Sequence, residues 1–130
     1  MIEINNTTGL TTDTALLLKV AKAVLAKENP PKAQRAFRRA DISVALVSSQ
    51  RARKLNQAYR KKNYVPNILS FSYGEIILCP SRIRQDAKKY GITFKQELAR
   101  VFTHGLLHLF GYTHERMRRK ERTYSTYIRY

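Results

Sequence analysis

All three histidines of this chain lie in the eleven-residue segment from His104 to His114. On a helix, His104 and His108 project from one face, because residues four apart are neighbours on the helix surface. We expect Gly111 to end that helix and to let the chain turn, so that His114 supplies a third imidazole. Three imidazoles suit one zinc ion and leave a position for water or substrate. The spacing therefore predicts a catalytic site with one Zn²⁺, although other divalent transition metals accept the same ligands.

The same segment is also compatible with functions other than a metal site. Paired histidines in an apolar run are often ordinary half-buried side chains, but the third histidine six residues later favours a metal site. The metalloprotease signature His-Glu-x-x-His is absent because Gly105 follows His104, which disfavours peptide hydrolysis. Glu97 lies about 10 Å from His104 along a helix axis, too far to act as general base. We expect Glu97 to orient the site or pair with a basic side chain, and Glu115 to form a surface ion pair.

The charge of the chain is the second indication of function. Twenty-five Lys and Arg against nine Asp and Glu give a net charge of +16 at pH 7. Such an excess attracts polyanions and favours nucleic acid as the partner. The basic residues are grouped at 32–39, 51–54, 60–62 and 116–122. We expect RNA contacts from Lys61, Lys62, Arg116, Arg118 and Arg119. Tyrosines at helical spacing near the C-terminus, Tyr124, Tyr127 and Tyr130, suit base stacking but more often pack on a core.

Length and composition predict one domain over residues 1–130, with a core large enough to need no disulfide. Cys79 is the single cysteine and is expected to be a small buried side chain. No apolar run approaches the roughly 20 residues of a transmembrane helix, and the N-terminus lacks a signal-peptide pattern. We therefore expect a cytoplasmic protein that does not associate with membranes.

The elements that must position the histidines alternate between strands and helices. Strands are predicted at 2–4, 41–48, 68–73 and 75–78, and helices at 13–27, 49–59, 80–90 and 93–110. A tight turn at Gly74 is expected to join the last two strands as a hairpin. In the last helix, Leu98, Phe102 and Leu106 form the buried side and the histidines occupy another side. This pattern predicts a single α/β domain with a small mixed sheet of about four strands, covered by helices.

The segment His104-Gly-Leu-Leu-His-Leu-Phe-Gly-Tyr-Thr-His114 resembles the signature of the YbeY family of metal-dependent bacterial endoribonucleases. Further segments resemble the family in the family's order: Leu55-Asn-Gln-Ala-Tyr-Arg-Lys-Lys-Asn63, Asn67-Ile-Leu-Ser-Phe71 and Gly74-Glu-Ile-Ile77. The resemblance covers residues 41–115. Two positions depart from it, with Thr113 in place of aspartate and Pro66-Asn67 in place of Thr-Asp or Thr-Asn. We expect the metal ligands to be retained and the tuning of the site to differ.

The resemblance implies a zinc-dependent endoribonuclease specific for single-stranded RNA. The implied roles are maturation of the 3′ end of 16S ribosomal RNA and ribosome quality control, with the ribosome or its small subunit as partner. The resemblance also implies that the histidines lie on and just after a central helix, beside a basic cleft. It makes Arg60 the catalytic arginine, whereas the residues alone favour an ordinary surface arginine. A guanidinium suits the role because it pairs two phosphate oxygens and keeps its proton.

Two other functions remain compatible with the sequence. One is a non-catalytic RNA- or ribosome-binding assembly factor whose zinc is structural. The other is a metal hydrolase acting on a peptide or a phosphoester metabolite, which would leave the net charge of +16 without a role. For RNA cleavage itself, attack by water and attack by the 2′-hydroxyl of the RNA are both open.

Overall fold

The computed structural model describes residues 2–9, 13–27, 42–71 and 73–110. These residues form four strands and four helices: β1 (Ile2–Asn6), α1 (Thr14–Lys27), β2 (Ile42–Leu46), α2 (Ser49–Arg60), β3 (Ile68–Phe71), β4 (Glu75–Leu78), α3 (Pro80–Tyr90) and α4 (Phe94–Leu109). All eight correspond to predicted elements. The largest differences in the described ranges are of two residues: β1 ends two residues after its predicted end, and β2 and β3 each end two residues before theirs. Gly111, predicted to end the last helix, lies outside the described residues.

The strands form one mixed sheet in the order β1-β2-β4-β3. Strands β1, β2 and β4 are parallel neighbours, and β3 pairs antiparallel with β4 at the edge. The predicted hairpin is confirmed, because the Gly74 amide donates to the Phe71 carbonyl at 2.9 Å. Gly74 has a φ of 107°, a backbone conformation that favours glycine. The predicted mixed sheet of about four strands is therefore confirmed.

Each face of the sheet has its own hydrophobic core. The larger core lies between one face and helices α1, α3 and α4, and the smaller core lies between the other face and α2. Strand residues alternate between the cores: Ile76 and Leu78 face the larger core, and Ile77 faces the smaller one with Cys79. Cys79 is a free buried cysteine, as predicted. The sheet is thus covered by helices on both faces.

Helix α4 is the central helix, since it packs against α1, α3 and β3. It begins with a capping box: the Thr93 hydroxyl accepts from the Gln96 amide at 3.1 Å, and the Gln96 side chain accepts from the Thr93 amide at 2.9 Å. The predicted apolar side is fully buried at Leu98, Phe102 and Leu106. No helix within the described ranges has the length and apolar character needed to cross a membrane.

Candidate active site

An open cavity of about 410 Å³ lies between α4, β3 and the end of α2. Its lining consists of Arg60, Asn67, Ile68, Leu69, Ser70, Arg100, Val101, His104 and His108. Two arginines are among these residues and no carboxylate is. The cavity therefore favours an anion, and polar donors from Asn67 and Ser70 lie beside the cationic groups.

One face of α4 provides one wall of the cavity. Arg100, His104 and His108 are each four residues apart, so they follow one another along that face. His104 is half-buried and His108 is exposed. Both histidines take part in further interactions within the protein. The two imidazoles predicted to share a site thus line the same cavity.

Strand β3 lies against α4 at Gly105, directly after His104. A Cβ atom added at Gly105 would overlap Cδ1 of Ile68 and would lie 3.2 Å from Oγ of Ser70. Glycine therefore allows this close approach of the strand to the helix without a shift of the Ile68 side chain. The approach brings Ser70 and Ile68 beside the histidines and makes β3 the facing wall of the cavity.

Arg60 reaches the cavity from the other side, as the last residue of α2. The helix ends because Lys61 adopts a left-handed conformation with φ of 59°. The amides of Lys61 and Lys62 then donate to carbonyls in the last turn of α2, at 3.2 and 3.4 Å. Lys61 and Lys62 are exposed, as an RNA-contacting role requires, and are not among the residues lining the cavity.

The segment 61–67, which joins α2 to β3, is held by hydrogen bonds from three directions. Asn56 is fully buried, and its Nδ2 donates to the Tyr64 carbonyl at 3.1 Å. Arg82 on α3 donates from Nη1 to the Val65 carbonyl at 3.0 Å. The amide of Cys79 donates to the Asn67 carbonyl at 3.0 Å. These bonds hold the middle and the C-terminal end of the segment, and with them the position of Asn67 at the cavity.

Sequence reasoning did not identify Arg100 as a site residue. Its guanidinium donates to both carboxylate oxygens of Glu97, whose side chain is fully buried. The prediction that Glu97 pairs with a basic side chain is therefore confirmed. The signal for Arg100 was its position three residues after Glu97 and four before His104, which places it on the histidine face of the helix.

Comparison with known proteins identifies the family. The sequence model of the family described as Endoribonuclease YbeY matches residues 2–126. The chain belongs to the YbeY family. Proteins named Endoribonuclease YbeY include one from Bdellovibrio bacteriovorus, 39% identical over 90 residues, which are 65% of this chain and 59% of the relative. Another, from Thermodesulfovibrio yellowstonii, is 47% identical over 85 residues, 57% of this chain and 54% of the relative.

The chain thus spans a little over half the length of these YbeY relatives. A structural comparison covers more of the chain. The solution structure of TM1509 from Thermotoga maritima matches with a TM-score of 0.63 and 28% sequence identity, over 95% of this chain and 86% of that protein. The family resemblance found in the sequence motifs and the predicted α/β fold are both confirmed.

The metal expected for a YbeY protein can be tested against the donors present. His104 and His108 offer two imidazoles from one helix face, a donor pair that suits zinc. Among residues 2–9, 13–27, 42–71 and 73–110, no group of three metal-ligating side chains occurs. The predicted third ligand, His114, lies outside the described residues, as do Arg116, Arg118 and Arg119. The donor set on α4 fits zinc as far as it is described, and metal binding stays a prediction.

Proposed function

We propose that this chain is an endoribonuclease that cleaves single-stranded RNA with the help of one zinc ion held by His104, His108 and His114. The observation that carries the proposal is the convergence of Arg60 with His104 and His108 on one cavity. The net charge of +16 and the name Endoribonuclease YbeY of the relatives support RNA as the substrate. The absence of carboxylates from the described lining favours a phosphate there over a cationic ligand.

The two arginines have complementary roles in this proposal. Arg60 binds the scissile phosphate, and its planar guanidinium stabilises the charge that develops on the phosphate oxygens. Arg100 is held by the buried Glu97 carboxylate, which compensates its charge, and it contributes a fixed guanidinium to the wall that carries the histidines. The metal, when bound, supplies Lewis-acid polarisation of an oxygen or makes a water molecule more acidic.

Glu97 does not act as the general base in this mechanism. Its carboxylate is fully buried, and each of its oxygens accepts a hydrogen bond from Arg100. A base must reach the proton that it removes, and these contacts hold Glu97 away from substrate. Glu97 is therefore a positioning residue, as its distance from His104 along the helix also indicates.

The biological role that we propose is the maturation of the 3′ end of 16S ribosomal RNA and ribosome quality control, in the cytoplasm and in contact with the ribosome. It is supported by the sequence segments that place the chain in the YbeY family and by the basic charge. Exposed basic residues next to Arg60, including Lys61 and Lys62, provide contacts for RNA beyond the cleavage site.

The test is cleavage of a short end-labelled single-stranded RNA by highly purified, zinc-loaded protein. Chelated protein, the His104→Ala variant and the Arg60→Ala variant are prepared in the same way. Arg51→Ala is a matched control, because Arg51 is an exposed arginine of the same helix that does not line the cavity. We expect cleavage by the wild type and Arg51→Ala, and its loss in the other three preparations.

Two results would contradict the proposal. Equal cleavage in all preparations would identify a contaminating nuclease. RNA binding without cleavage in any preparation would identify a non-catalytic RNA- or ribosome-binding factor. The termini of the product distinguish the two routes of attack, because attack by the 2′-hydroxyl leaves a cyclic phosphate and hydrolysis does not.

A further inference from the structure

Three aromatic rings form a cluster on the side of β3 that faces away from α4: Tyr59, Phe71 and Tyr73. The Tyr59 and Phe71 rings meet edge to face with centroids 5.2 Å apart. The Phe71 and Tyr73 rings are stacked at 5.6 Å with an interplanar angle of 21°. Tyr59 and Tyr73 are 65% and 66% exposed, although rings of this size usually bury most of their surface. Their exposure leaves aromatic surface open to a ligand.

The aromatic cluster and the cavity lie on opposite faces of the edge strand β3 and are joined by residues that are adjacent in sequence. Ser70 and Ile68 point toward Gly105 on α4, so the alternation of side chains directs Phe71 to the opposite face, where it packs with the smaller core. Tyr59 precedes Arg60, and Phe71 follows Ser70, and both Arg60 and Ser70 line the cavity. A chain that leaves the cavity over the edge strand β3 therefore meets the cluster next.

The charges around the cluster favour a polyanion that carries flat rings. Exposed basic side chains lie along α2 and directly after it, at Arg53, Lys54, Arg60, Lys61 and Lys62. The phenol of Tyr73 is neutral at pH 7, as tyrosine ordinarily is, and desolvation and the nearby Glu75 carboxylate raise its pKa further. Neutral aromatic faces beside a basic helix are the combination that single-stranded nucleic acids bind, through stacked bases and paired phosphates.

We propose that Tyr59, Phe71 and Tyr73 form a stacking site for unpaired bases of the RNA strand whose phosphate lies in the cavity. This inference rests on the proposed function and adds a physical reason for a preference for single strands. Bases in a duplex are stacked on their neighbours, whereas unpaired bases can turn outward onto an aromatic ring. A single strand can also follow the bend around the edge of the sheet.

The test measures binding of a labelled, 2′-O-methylated uridine oligomer to the zinc-loaded protein by fluorescence anisotropy. The methyl groups block attack by the 2′-hydroxyl and make the oligomer resistant to nucleases. We expect Tyr59→Leu and Tyr73→Leu each to weaken binding about tenfold, which is in the range observed for the loss of one base–aromatic stack. Tyr59→Phe should bind like the wild type, because the stacking face is retained. Tyr90→Leu is the matched control, a 56% exposed tyrosine at the end of α3.

Two further measurements separate stacking from charge and from misfolding. An oligomer without bases should bind the wild type and both leucine variants equally. The dependence of affinity on salt should stay the same in the leucine variants, because no phosphate contact is lost. Tyr73→Trp introduces a single tryptophan into a chain that has none, and its fluorescence should be quenched by the uridine oligomer but not by the oligomer without bases.

The outcomes distinguish this inference from the proposed function. If the wild type cleaves RNA and the leucine variants bind the oligomer as tightly as Tyr90→Leu does, the stacking site is wrong and the endoribonuclease assignment stands. If binding depends on both tyrosines but RNA is not cleaved, the stacking site stands and the catalytic function is wrong. If the wild type does not bind the oligomer, the stacking site is wrong, and the cleavage assay alone decides the endoribonuclease assignment.

Discussion

Arg100 donates two hydrogen bonds to Glu97, from Nε to Oε1 at 2.6 Å and from Nη2 to Oε2 at 3.0 Å. The Glu97 side chain is fully buried, and the Arg100 side chain is 45% exposed. A buried carboxylate is stable only when its charge is paired and its oxygens accept hydrogen bonds. Arg100 therefore neutralises the charge of Glu97 inside the fold, while the exposed part of its guanidinium lines the cavity.

Removal of Arg100 should destabilise the protein through the charge that it leaves behind. We expect Arg100→Ala to lower the free energy of unfolding by about 2 kcal/mol, less than for a fully buried pair because Arg100 is half exposed. Urea denaturation measures the change. Adding Glu97→Met to Arg100→Ala should restore most of the stability, because it replaces the unpaired carboxylate with an apolar group of similar size.

The control for this prediction is the ion pair between Lys95 and Asp13. Their charged atoms are 3.5 Å apart, and the side chains are 63% and 30% exposed. Lys95→Ala should cost less than about 1 kcal/mol, as is usual for an exposed pair. Equal losses for Arg100→Ala and Lys95→Ala would show that burial of Glu97 does not determine the strength of its pairing.

Gly105 should be sensitive to the addition of one methyl group. Alanine favours the helix by about 1 kcal/mol relative to glycine, but its Cβ would overlap Cδ1 of Ile68 and crowd Ser70. Overpacking of this kind costs about 1–3 kcal/mol, so Gly105→Ala should be neutral to destabilising. Ile68→Val removes the overlapping methyl group. The double variant should therefore be more stable than the sum of the single changes predicts, as a double-mutant cycle in urea would measure.

Lys61 has a positive φ, which is unfavourable for a residue with a Cβ. Lys61→Gly should raise the free energy of unfolding by about 1 kcal/mol, because glycine adopts this conformation without steric conflict. Lys62→Gly is the matched control. It removes the same charge at the adjacent residue, which does not have a positive φ. Lys62→Gly should lower the free energy of unfolding by a few tenths to about 1 kcal/mol, because glycine increases the conformational entropy of the unfolded chain. A higher midpoint temperature of thermal unfolding for Lys61→Gly and a lower one for Lys62→Gly would confirm that the positive φ of Lys61 causes the difference.

Local signals in the sequence were sufficient for the helix that carries the histidines. Thr93 and Gln96 form the capping box, the apolar residues repeat at helical spacing, and His104 and His108 are one turn apart. The hairpin was predicted for a similar reason, since Gly74 separates two short strands. These features depend on residues that are close in the sequence, so a pattern can show them.

The rest of the cavity depends on contacts between residues that are distant in the sequence. Nothing near Gly105 indicates that β3 will pack on it, because that contact follows from the order of strands in the sheet. The path of segment 61–67 from Arg60 to Asn67 relies on bonds from Asn56 and Arg82 to its middle residues. Glu97 is fully buried because α4 packs against its neighbours. This burial is the reason that the Glu97 carboxylate needs Arg100 as its partner.

Zinc should stabilise the folded protein, because a metal that binds the native state alone shifts the folding equilibrium. With zinc at about one hundred times its dissociation constant, the gain is about 2.7 kcal/mol. The midpoint temperature of thermal unfolding should rise by several degrees when zinc is added to the wild type. Most of that rise should be lost in each of three variants, His104→Ala, His108→Ala and His114→Ala. Arg60→Ala is the control, because it changes the same cavity without removing a metal ligand. A full shift in His108→Ala would exclude it as a ligand, whereas loss of the shift in all three histidine variants would support one shared ion.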